Sequence, residues 1–574
     1  MAGARACPRG PATGNLGWRT MRESDLRRLA TGALKLAGRA GDEAYFAAAC
    51  VRSGMVGIER PRRAARIAEV LLRHGMIAGA LGAAAVRHPN RIAVSDDRVE
   101  LTYGELEARS NALAHAWRAR GLAPGEGVAI LARNHAGFLE AGFAAAKCGA
   151  KIVLLNTSFA GPQVRDVCAR EGIDLLVCDG EYAPFVQGIE LRHGRVLGWL
   201  EGDSAAGDPD TLQALIAGGD RGPVPKPARA PSVVILTSGT TGTPKGAPRE
   251  QPKSLGLIGG LLSRVPLRAR ETTVLAAPLF HAFGFTSMVM GLGLGSTLVL
   301  RRRFDPAQAL ADLGSSRASA LIVVPVMLQR ILDLGDERVR AAVPSSLRVI
   351  FVSGSAVGAP LALRALSVFG PVLYNLYGST EVAYATIATP RDLAAEPSTV
   401  GTPVRGVTVR IVDSEGRILP AGESGRIFVS NGIQFEGYTD GQTKETIGVL
   451  MSSGDVGHFD SQGRLFVDGR DDEMIISGGE NVFPAEVEES LAAHEAIAES
   501  AVVGVDDAEF GQRLKAFVVL RDGMDLTENE VKSYVRENLA RYKVPREVVF
   551  VDELPRNPTG KVLKRELRAE AEQA

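Results

Sequence analysis

The sequence predicts an α/β protein with a large N-terminal domain of layered α/β subdomains, a small β subdomain and a small α+β C-terminal domain. Apolar strand-like runs alternate with helical patterns between residues 77 and 400, which is typical of parallel α/β sheets. Helices become scarce after Gly401, and a mixed pattern returns after Arg470. A chain of 574 residues also exceeds one hydrophobic core, so at least two domains are expected.

The large domain is predicted over residues 77–470 from its candidate strands. A helical pattern over Tyr103–Arg120 lies among the first apolar runs, and the alternation resumes after the Pro/Gly/Ala-rich connection Gly218–Pro231. The candidate strands are residues 127–131, 151–155, 175–177, 233–236, 273–276, 297–300, 321–324, 347–352 and 372–376. Because strands and helices alternate throughout, we expect one layered domain.

Two smaller units follow Gly401. Short runs with turn signals in VRIVDSEGRILPAGESGRIFVSNG indicate the β subdomain. A separate α+β domain is predicted over residues 471–574 from two helices and two strands. These are Pro484–His494, residues 501–503, residues 516–520, and the helix that the capping box Thr527–Glu530 opens.

Residues 1–76 are predicted to form a basic, partly helical extension. The first 75 residues hold 14 Lys and Arg against 6 Asp and Glu, and Pro61–His74 would place Ala64, Ile67, Val70 and Leu71 on one side of a helix. Such a helix can rest on anionic lipid, or it can cap the next domain with its arginines in solvent. No run of eighteen apolar residues and no apolar leader segment occur, so a soluble protein is expected.

Composition limits the function classes. The 66 Lys and Arg residues balance 66 Asp and Glu residues, which argues against a nucleic-acid-binding protein. The five cysteines are scattered and form no C-x-x-C or Cys/His cluster, so we expect a reducing compartment and no structural zinc. The expected location is therefore the cytoplasm, with contact to the inner face of the membrane left open.

A ten-residue stretch, TSGTTGTPKG at Thr237–Gly246, follows a buried strand-like run. Its hydroxyls, glycines and lysine suit phosphate oxyanions. The order of residues differs from the P-loop, because Lys245 stands between Pro244 and Gly246. Taken alone, the stretch also fits an ordinary surface loop.

Four further stretches carry a family resemblance. They are YGSTE (Tyr377–Glu381), SGDVGHFD (Ser453–Asp460), GRDDEMIISGGENVFPAEVE (Gly469–Glu488) and PRNPTGKVLK (Pro555–Lys564). With LTSGTTGTPKG, in this order and at these spacings, they resemble the adenylate-forming superfamily of acyl-CoA synthetases, nonribosomal-peptide adenylation domains and luciferases. The resemblance implies ATP, Mg²⁺ and coenzyme A as ligands.

The resemblance implies the composition of an ATP site. The loop would grip the β- and γ-phosphates, Tyr377 would stack on adenine, and Asp455 with Arg470 would bind the ribose hydroxyls. Taken alone, Tyr377 also fits packing and Asp455 fits a turn. The residues implied at the nucleotide are Thr237, Ser238, Gly239, Thr240, Thr241, Lys245, Ser355, Tyr377, Gly378, Thr380, Glu381, Asp455, Arg470 and Lys561.

The resemblance also implies which groups carry the chemistry. In the first half-reaction a carboxylate attacks the α-phosphate of ATP, so charge neutralisation lowers the barrier between two anions. Glu381 and Thr240 resemble the Mg²⁺ ligands. Lys561 resembles the lysine that reaches the α-phosphate and the carboxylate, with a solvated surface lysine as the alternative.

In the second half-reaction a thiol attacks the acyl-adenylate. The resemblance implies that the small C-terminal domain is mobile and rotates about Asp472. Gly478 and Gly479 would border the tunnel that admits the thiol, since a side chain there would obstruct it. Asp471–Asp472 also fits a simple charged turn.

The acid substrate is predicted to be apolar. No acidic residue occurs between Glu271 and Asp305, around PLFHAFGF, to pair with a substrate ammonium. Met288–Leu300 fits either a glycine-lined acyl channel or a core helix plus strand. His281 resembles a pocket gate, with a core histidine as the alternative, and Gly354 is also expected at the pocket.

These expectations combine into a medium- or long-chain fatty-acid–CoA ligase that forms acyl-AMP and pyrophosphate and then acyl-CoA. Alternatives within the family are a fatty acyl-AMP ligase that passes the chain to an acyl carrier protein, and an aryl-CoA ligase. A catalytically silent nucleotide- or lipid-binding protein is the alternative from another class. It is disfavoured because Lys245, Glu381, Asp455, Arg470 and Lys561 are all present.

Overall fold

A computed structural model describes residues 23–201, 210–237, 245–249, 254–471, 473–477, 480–507, 511–557 and 560–573. The helices in chain order are α1 Glu23–Ser53, α2 Pro61–Arg87, α3 Tyr103–Ala119, α4 Ala136–Cys148, α5 Gly161–Arg170, α6 Leu212–Gly218, α7 Gly256–Arg264, α8 Ala282–Gly293, α9 Pro306–Ser315, α10 Pro325–Leu332, α11 Asp336–Ala342, α12 Ala359–Phe369, α13 Pro390–Ala395, α14 Pro484–Ala492, α15 Glu528–Asn538 and α16 Lys564–Gln573.

Strands group into four sheets. Those of the large domain are β1 Ile92–Ser95, β2 Glu100–Thr102, β3 Gly127–Leu131, β4 Lys151–Leu154, β5 Ile173–Cys178, β6 Arg195–Leu197, β7 Ser232–Thr237, β8 Lys245–Arg249, β9 Thr272–Leu275, β10 Thr297–Val299, β11 Ala320–Val323, β12 Val349–Val352, β13 Leu373–Tyr377, β14 Thr386–Ala388 and β15 Thr402–Pro403. The later strands are β16 Thr408–Val412, β17 Gly425–Ser430, β18 Thr446–Ile447, β19 Leu450–Phe459, β20 Leu465–Arg470, β21 Ile475–Ser477, β22 Glu480–Val482, β23 Ile497–Asp507, β24 Gly511–Leu520 and β25 Glu547–Phe550.

Two large, mostly parallel sheets form the frame of the protein. The nine-stranded sheet has the order β15-β14-β13-β12-β11-β9-β10-β1-β2, and the six-stranded sheet has the order β6-β5-β3-β4-β7-β8. Their central strands, such as β3 and β12, are buried along their whole length. Continuous apolar runs are expected where helices cover both faces of a parallel sheet. Each candidate strand of the large domain is present within two residues of its predicted bounds, which confirms the predicted fold class.

The smaller units also have the predicted architecture. Strands β16 to β20 form a five-stranded antiparallel sheet, the predicted β subdomain. Strands β21 to β25 form the last sheet, with β25 parallel to β24. Helices α14 and α15 pack with this sheet, and Thr527 and Glu530 make the predicted capping box of α15. The limits given above for the three domains stay predictions.

The N-terminal helices pack on the large domain. Helix α2 extends past residue 76 and is bent at Gly75, whose φ of 70° and ψ of −161° are not helical. It contacts α3, α4 and α8, while α1 contacts α7. Of the four apolar residues predicted to share one face, Ile67 is buried but Ala64 and Leu71 are exposed, because the buried face lies mainly beyond the bend.

Helix α2 also has the length and composition of a membrane-crossing helix, with 44% of its most apolar window buried inside the protein. A core helix meets the same criterion.

The segment Met288–Leu300 forms the end of α8 and strand β10. Met288, Met290 and Leu292 are fully packed in the main hydrophobic core, between helices and the nine-stranded sheet. Of the two interpretations of this segment, the structure therefore shows the core helix plus strand.

Candidate active site

The stretch Thr237–Gly246, predicted to bind phosphates and called here the phosphate-binding stretch, connects two strands of the six-stranded sheet. Thr237 ends β7, Lys245 begins β8, and the two residues pair across this antiparallel ladder. Ligands of open α/β sheets bind beyond the carboxyl ends of strands, which is where this connection lies. Predicted site residues outside the described part of the chain are Ser238, Gly239, Thr240, Thr241, Asp472, Gly478 and Gly479.

Lys245 is held at the base of this connection by a later segment of the chain. Its ammonium group donates to the side-chain oxygen of Gln442 at 2.5 Å and lies 5.4 Å from the centre of the Tyr438 ring. A ring face attracts a cation at this distance. The structure therefore fixes the position of Lys245 through two residues that lie almost 200 positions later in the sequence.

Glu381 lies on a tight turn after β13. Gly378 permits the turn, since a Cβ there would lie 2.1 Å from the carbonyl oxygen of Ala383. The Ser379 hydroxyl accepts the amide hydrogens of Glu381 and Val382. The Glu381 side chain is buried and its Oε1 accepts a hydrogen bond of 2.5 Å from the Tyr438 hydroxyl. Burial, the hydrogen bond and the charge of Glu381 all raise the pKa of Tyr438, so this hydroxyl stays protonated as the donor.

The donor set suits Mg²⁺ bound together with phosphates. Mg²⁺ prefers oxygen ligands and is usually held by one or two carboxylates plus substrate phosphates. One oxygen of Glu381 accepts from Tyr438, and among the described residues no hydrogen bond to the other oxygen is present, so that oxygen can take a cation. Among the described residues no group of three or more His, Cys, Asp or Glu side chains forms a separate metal cage. Glu381 therefore fits a cation that the nucleotide brings with it.

Arg249 is a half-buried cation beside Glu381. Its guanidinium donates to the carbonyl oxygen of Ile433 at 2.7 Å and to that of Thr380. Burial lowers its pKa to about 10, and the charge of Glu381 opposes that change. The arginine thus remains charged at neutral pH and ties the backbone that carries Glu381 to the segment that follows β17.

The predicted ribose-binding residues, Asp455 and Arg470, lie on two neighbouring strands of the β subdomain. Asp455 of β19 pairs across the ladder with Arg470 of β20, and the guanidinium donates to Oδ1 of Asp455 at 3.2 Å. The Tyr377 hydroxyl donates to Oδ2 of Asp455 at 2.5 Å and also contacts the Ser453 hydroxyl at 3.1 Å. Burial raises the pKa of Asp455, while Arg470 and the two hydroxyls lower it. Three of the predicted nucleotide residues are therefore in direct contact.

Ser355, predicted to lie at the nucleotide, follows the end of β12. The Ser353 hydroxyl donates to the carbonyl oxygen of Leu376 at 2.9 Å, which ties this end to β13 and Tyr377. Gly354 has a φ of 104°, a conformation that favours glycine, and it sets the direction of the chain into Ser355. The stacking of Tyr377 on adenine stays a prediction.

Lys561 reaches this site from the C-terminal domain. The turn that carries it rests on α10, since a Cβ on Gly560 would lie only 2.1 Å from Cγ1 of Val326. The Lys561 amide donates to Oδ1 of Asn557 at 2.9 Å, and the Lys561 charge lowers the pKa of Asp455. The structure therefore brings Lys561 close to Asp455 and to α10 of the large domain.

His281 precedes α8 at the predicted acid pocket. Burial lowers its pKa to about 4, so the imidazole is neutral at pH 7. Within the described residues its Nε2 is buried without a hydrogen-bond partner. Phe283, two residues later, contacts the ring of Phe351 on β12 at 5.2 Å between ring centres. This contact places α8 beside the strand that leads to Gly354.

Sequence reasoning missed Tyr438, Arg249 and Gln442. None of them belongs to a motif that the resemblance supplied, and Tyr438 lies 57 positions after Glu381. The available signal was Arg249, a charged residue at the end of the strand that follows the phosphate-binding stretch. The contact of Tyr377 with Asp455 was also not expected from the motifs.

Comparisons with known proteins identify the family of the chain. The family model described as AMP-binding enzyme matches residues 81–439, and the model described as AMP-binding enzyme C-terminal domain matches residues 486–561. A feruloyl-CoA synthase from an Amycolatopsis species is 36% identical over 488 residues, which are 84% of this chain and 96% of that protein. A fatty acid–acyl-carrier-protein ligase from Streptomyces coeruleorubidus is 30% identical over 498 residues, covering 84% and 94%.

Solved structures extend the likeness to the fold. The o-succinylbenzoate CoA synthetase of Bacillus subtilis, in complex with its acyl-adenylate intermediate, superposes with a TM-score of 0.74 at 26% identity. The superposition covers 85% of this chain and 97% of that structure.

Proposed function

Because the chain belongs to the AMP-binding enzyme family, we propose that it is an acid–CoA ligase whose substrate is an apolar, ring-bearing carboxylic acid. Ligases of this family activate the acid as an acyl-adenylate and use ATP, Mg²⁺ and coenzyme A. The observation that carries the assignment is the direct contact of Asp455 with Tyr377 and Arg470, with Lys561 of the C-terminal domain close enough for its charge to act on Asp455.

The first half-reaction brings two anions together, so positive charge is needed to offset their repulsion. We assign Lys245 to the outer phosphates and Glu381, with Thr240, to Mg²⁺, which would offset phosphate charge when bound. Lys561 would place a positive charge between the acid carboxylate and the α-phosphate. Asp455 accepts two hydrogen bonds already, and its remaining lone pairs suit the vicinal hydroxyls of a ribose.

Two features support a ring-bearing acid. The segment Met288–Leu300 would have lined a long acyl channel, but its apolar side chains pack in the hydrophobic core instead. The feruloyl-CoA and o-succinylbenzoate enzymes, by their names, act on ring-bearing acids. His281, neutral and with an unpartnered Nε2, is proposed to face the acid pocket together with Gly354, where it can accept a hydrogen bond from a substrate hydroxyl.

A medium- or long-chain fatty acid is the second candidate substrate. It is favoured by the 30% identity to a fatty acid–acyl-carrier-protein ligase, which also keeps a carrier protein as the alternative acceptor. The proposed acceptor is free coenzyme A, with the C-terminal domain turning about Asp472 and the thiol passing Gly478 and Gly479.

The test is pyrophosphate release over a panel of acids that contains ferulate, benzoate, octanoate, palmitate and amino acids, with and without coenzyme A. Acyl-AMP and acyl-CoA are followed by mass. Aryl-CoA formation is the expected result, and palmitoyl-CoA as the main product would move the assignment to the second candidate. Acyl-AMP that persists with coenzyme A present would indicate a carrier-protein acceptor.

We also propose that the protein is cytoplasmic and contacts an anionic membrane surface through α1 and α2. Five large apolar side chains are exposed between residues 51 and 72: Val51, Val56, Ile58, Leu71 and Leu72. Arg62 and Arg66 are exposed on the same stretch, without an ion pair among the described residues. Apolar and basic side chains together favour anionic lipid.

Sedimentation with phosphatidylglycerol vesicles tests this contact. Binding that weakens with salt and is lost in the variant Arg62→Glu/Arg66→Glu is expected. The control is Arg536→Glu, which changes an exposed arginine on α15 of the C-terminal domain. Equal binding by all three proteins, or no binding by the unaltered protein, would contradict membrane contact.

A further inference from the structure

One segment contacts both the backbone and the carboxylate of Glu381. Residues 433–442, called here the bridging segment, connect β17 with β18. The Phe435 amide donates to the carbonyl oxygen of Glu381 at 2.9 Å, and the Tyr438 hydroxyl donates to Oε1 of the same residue at 2.5 Å. The rings of Phe435 and Tyr438 pack edge to face, with 4.7 Å between their centres. The hydroxyl is therefore held on the carboxylate by a packed ring.

The same segment holds the strand that follows the phosphate-binding stretch. The Thr439 amide donates to the carbonyl oxygen of Gly246 at 2.9 Å, and Gln442 accepts from Lys245. Gly246 is packed so closely that a Cβ would lie 2.7 Å from Oγ1 of Thr439. One short segment thus sets the position of the phosphate-side lysine relative to the carboxylate.

Arg249 anchors the start of this segment. Its two hydrogen bonds reach Ile433, the first residue of the bridging segment, and Thr380, the residue before Glu381. Both hydrogen bonds are partly shielded from solvent, which strengthens them relative to bonds fully exposed to water. A lysine at this position would keep the charge but could not make a two-pronged contact of this kind.

We propose that Tyr438 and Arg249 are positioning residues that orient Glu381 for the Mg²⁺ that accompanies ATP. The inference rests on the proposed function, since it takes Glu381 as the metal carboxylate. Tyr438 fixes which carboxylate oxygen stays free, and Arg249 fixes the backbone on both sides of that contact. Outer contacts that orient a ligand typically change metal affinity about 10- to 100-fold when removed.

The test is ATP binding without any acid substrate, measured by calorimetry at a series of Mg²⁺ concentrations and in EDTA. In Tyr438→Phe the ring and its contact with Lys245 stay, and only the hydroxyl is lost. We expect the half-saturating Mg²⁺ concentration for tight ATP binding to rise about tenfold, with binding in EDTA unchanged. Arg249→Lys is expected to shift it in the same direction.

Tyr384→Phe is the matched control. The Tyr384 side chain is buried, and its hydroxyl donates to the carbonyl oxygen of Gly256 instead of to Glu381. An unaltered Mg²⁺ dependence in Tyr438→Phe, or an equal shift in Tyr384→Phe, would overturn the proposal. Tyr438→Phe changes one atom and so decides the matter even when Arg249→Lys lowers the melting temperature.

The binding assay also separates this inference from the proposed function. Because ATP binding needs no acid, a protein that binds ATP in a Mg²⁺-dependent way but releases no pyrophosphate contradicts the ligase assignment and leaves the positioning role intact. Pyrophosphate release with an unchanged Mg²⁺ dependence in Tyr438→Phe would support the ligase assignment and contradict the positioning role.

Discussion

The two buried carboxylates of the nucleotide site are held in the same way but neutralised differently. Asp455 and Glu381 each accept a hydrogen bond of 2.5 Å from a tyrosine hydroxyl. Asp455 also pairs directly with Arg470 at 3.2 Å. Beside Glu381, by contrast, Arg249 donates its hydrogen bonds to backbone carbonyls.

This difference separates two kinds of ligand. An ionised carboxylate and the guanidinium that it contacts form a pair with little net charge, so the pair suits neutral donors such as ribose hydroxyls. A carboxylate whose neighbouring arginine is occupied elsewhere keeps its negative charge and suits a divalent cation. The comparison therefore predicts that changes at Asp455 and Glu381 produce different kinetic effects, although both residues are assigned to the same nucleotide.

The largest effect is expected from a residue that belongs to neither pair. Lys561→Ala should lower pyrophosphate release about 10²- to 10³-fold, because it removes a positive charge where charge develops in the first half-reaction. Coenzyme A transfer from supplied acyl-AMP should stay near the unaltered rate. Single-turnover measurement of both steps checks this, and an equal loss of both would refute the assigned role.

The next effect separates the metal carboxylate from the ribose carboxylate. Glu381→Gln keeps the shape of the side chain and removes its charge. We expect pyrophosphate release to fall about 10²-fold and the remaining activity to respond only weakly to Mg²⁺, since the metal ligand is lost. If the variant recovers full activity at high Mg²⁺, Glu381 contributes only to Mg²⁺ affinity. If the Mg²⁺ dependence is normal, Glu381 is not a metal ligand.

Asp455→Asn is expected to act through nucleotide affinity alone. The change weakens hydrogen bonds to a charged group, each worth about 1.5–3 kcal/mol, so the KM for ATP should rise about 10- to 100-fold at every Mg²⁺ concentration. A rise in KM that high Mg²⁺ reverses would break the comparison, because the two carboxylates would then act on the same ligand. Initial rates over a grid of ATP and Mg²⁺ concentrations distinguish the two results.

Much of this site could be predicted from the sequence because contiguous motifs carry it. The strands and the β subdomain follow from residue patterns that are visible along the chain, and the family resemblance grouped Asp455 with Arg470. Tyr438 and Arg249 could not be found this way, because their contacts join segments that are 57 and 131 positions apart. An arginine that donates only to backbone carbonyls needs no acidic partner, so no Asp or Glu in the sequence indicates its position.

The acid pocket could not be predicted from the sequence for a different reason. Met288–Leu300 has the same apolar composition whether it lines a channel or fills a core, so composition alone could not separate the two. Helix α8 packs its methionines inward, and only the tertiary contacts decide this.

The smallest expected effect concerns the pH range over which the ribose side works. Burial raises the pKa of Asp455, while Arg470, Tyr377 and Ser453 oppose this. The ionised carboxylate is the form that accepts ribose hydroxyls, so adenosine binding should be present above the pKa and lost as the pH falls through it. Tyr377→Phe removes one contact that lowers the pKa, and the acid limb of adenosine binding should therefore move to higher pH.

At neutral pH the same change should weaken adenosine binding about fivefold, the usual net contribution of one hydrogen bond. Adenosine is the suitable probe because it carries no phosphate that titrates in this range. Tyr374→Phe is the control, since positions 374 and 377 point to opposite faces of β13. An acid limb that stays in place, or that moves to lower pH, would show that Tyr377 does not hold Asp455 in its ionised form. The ribose carboxylate would then depend on Arg470 alone, and its likeness to the tyrosine-held Glu381 would be one of geometry only.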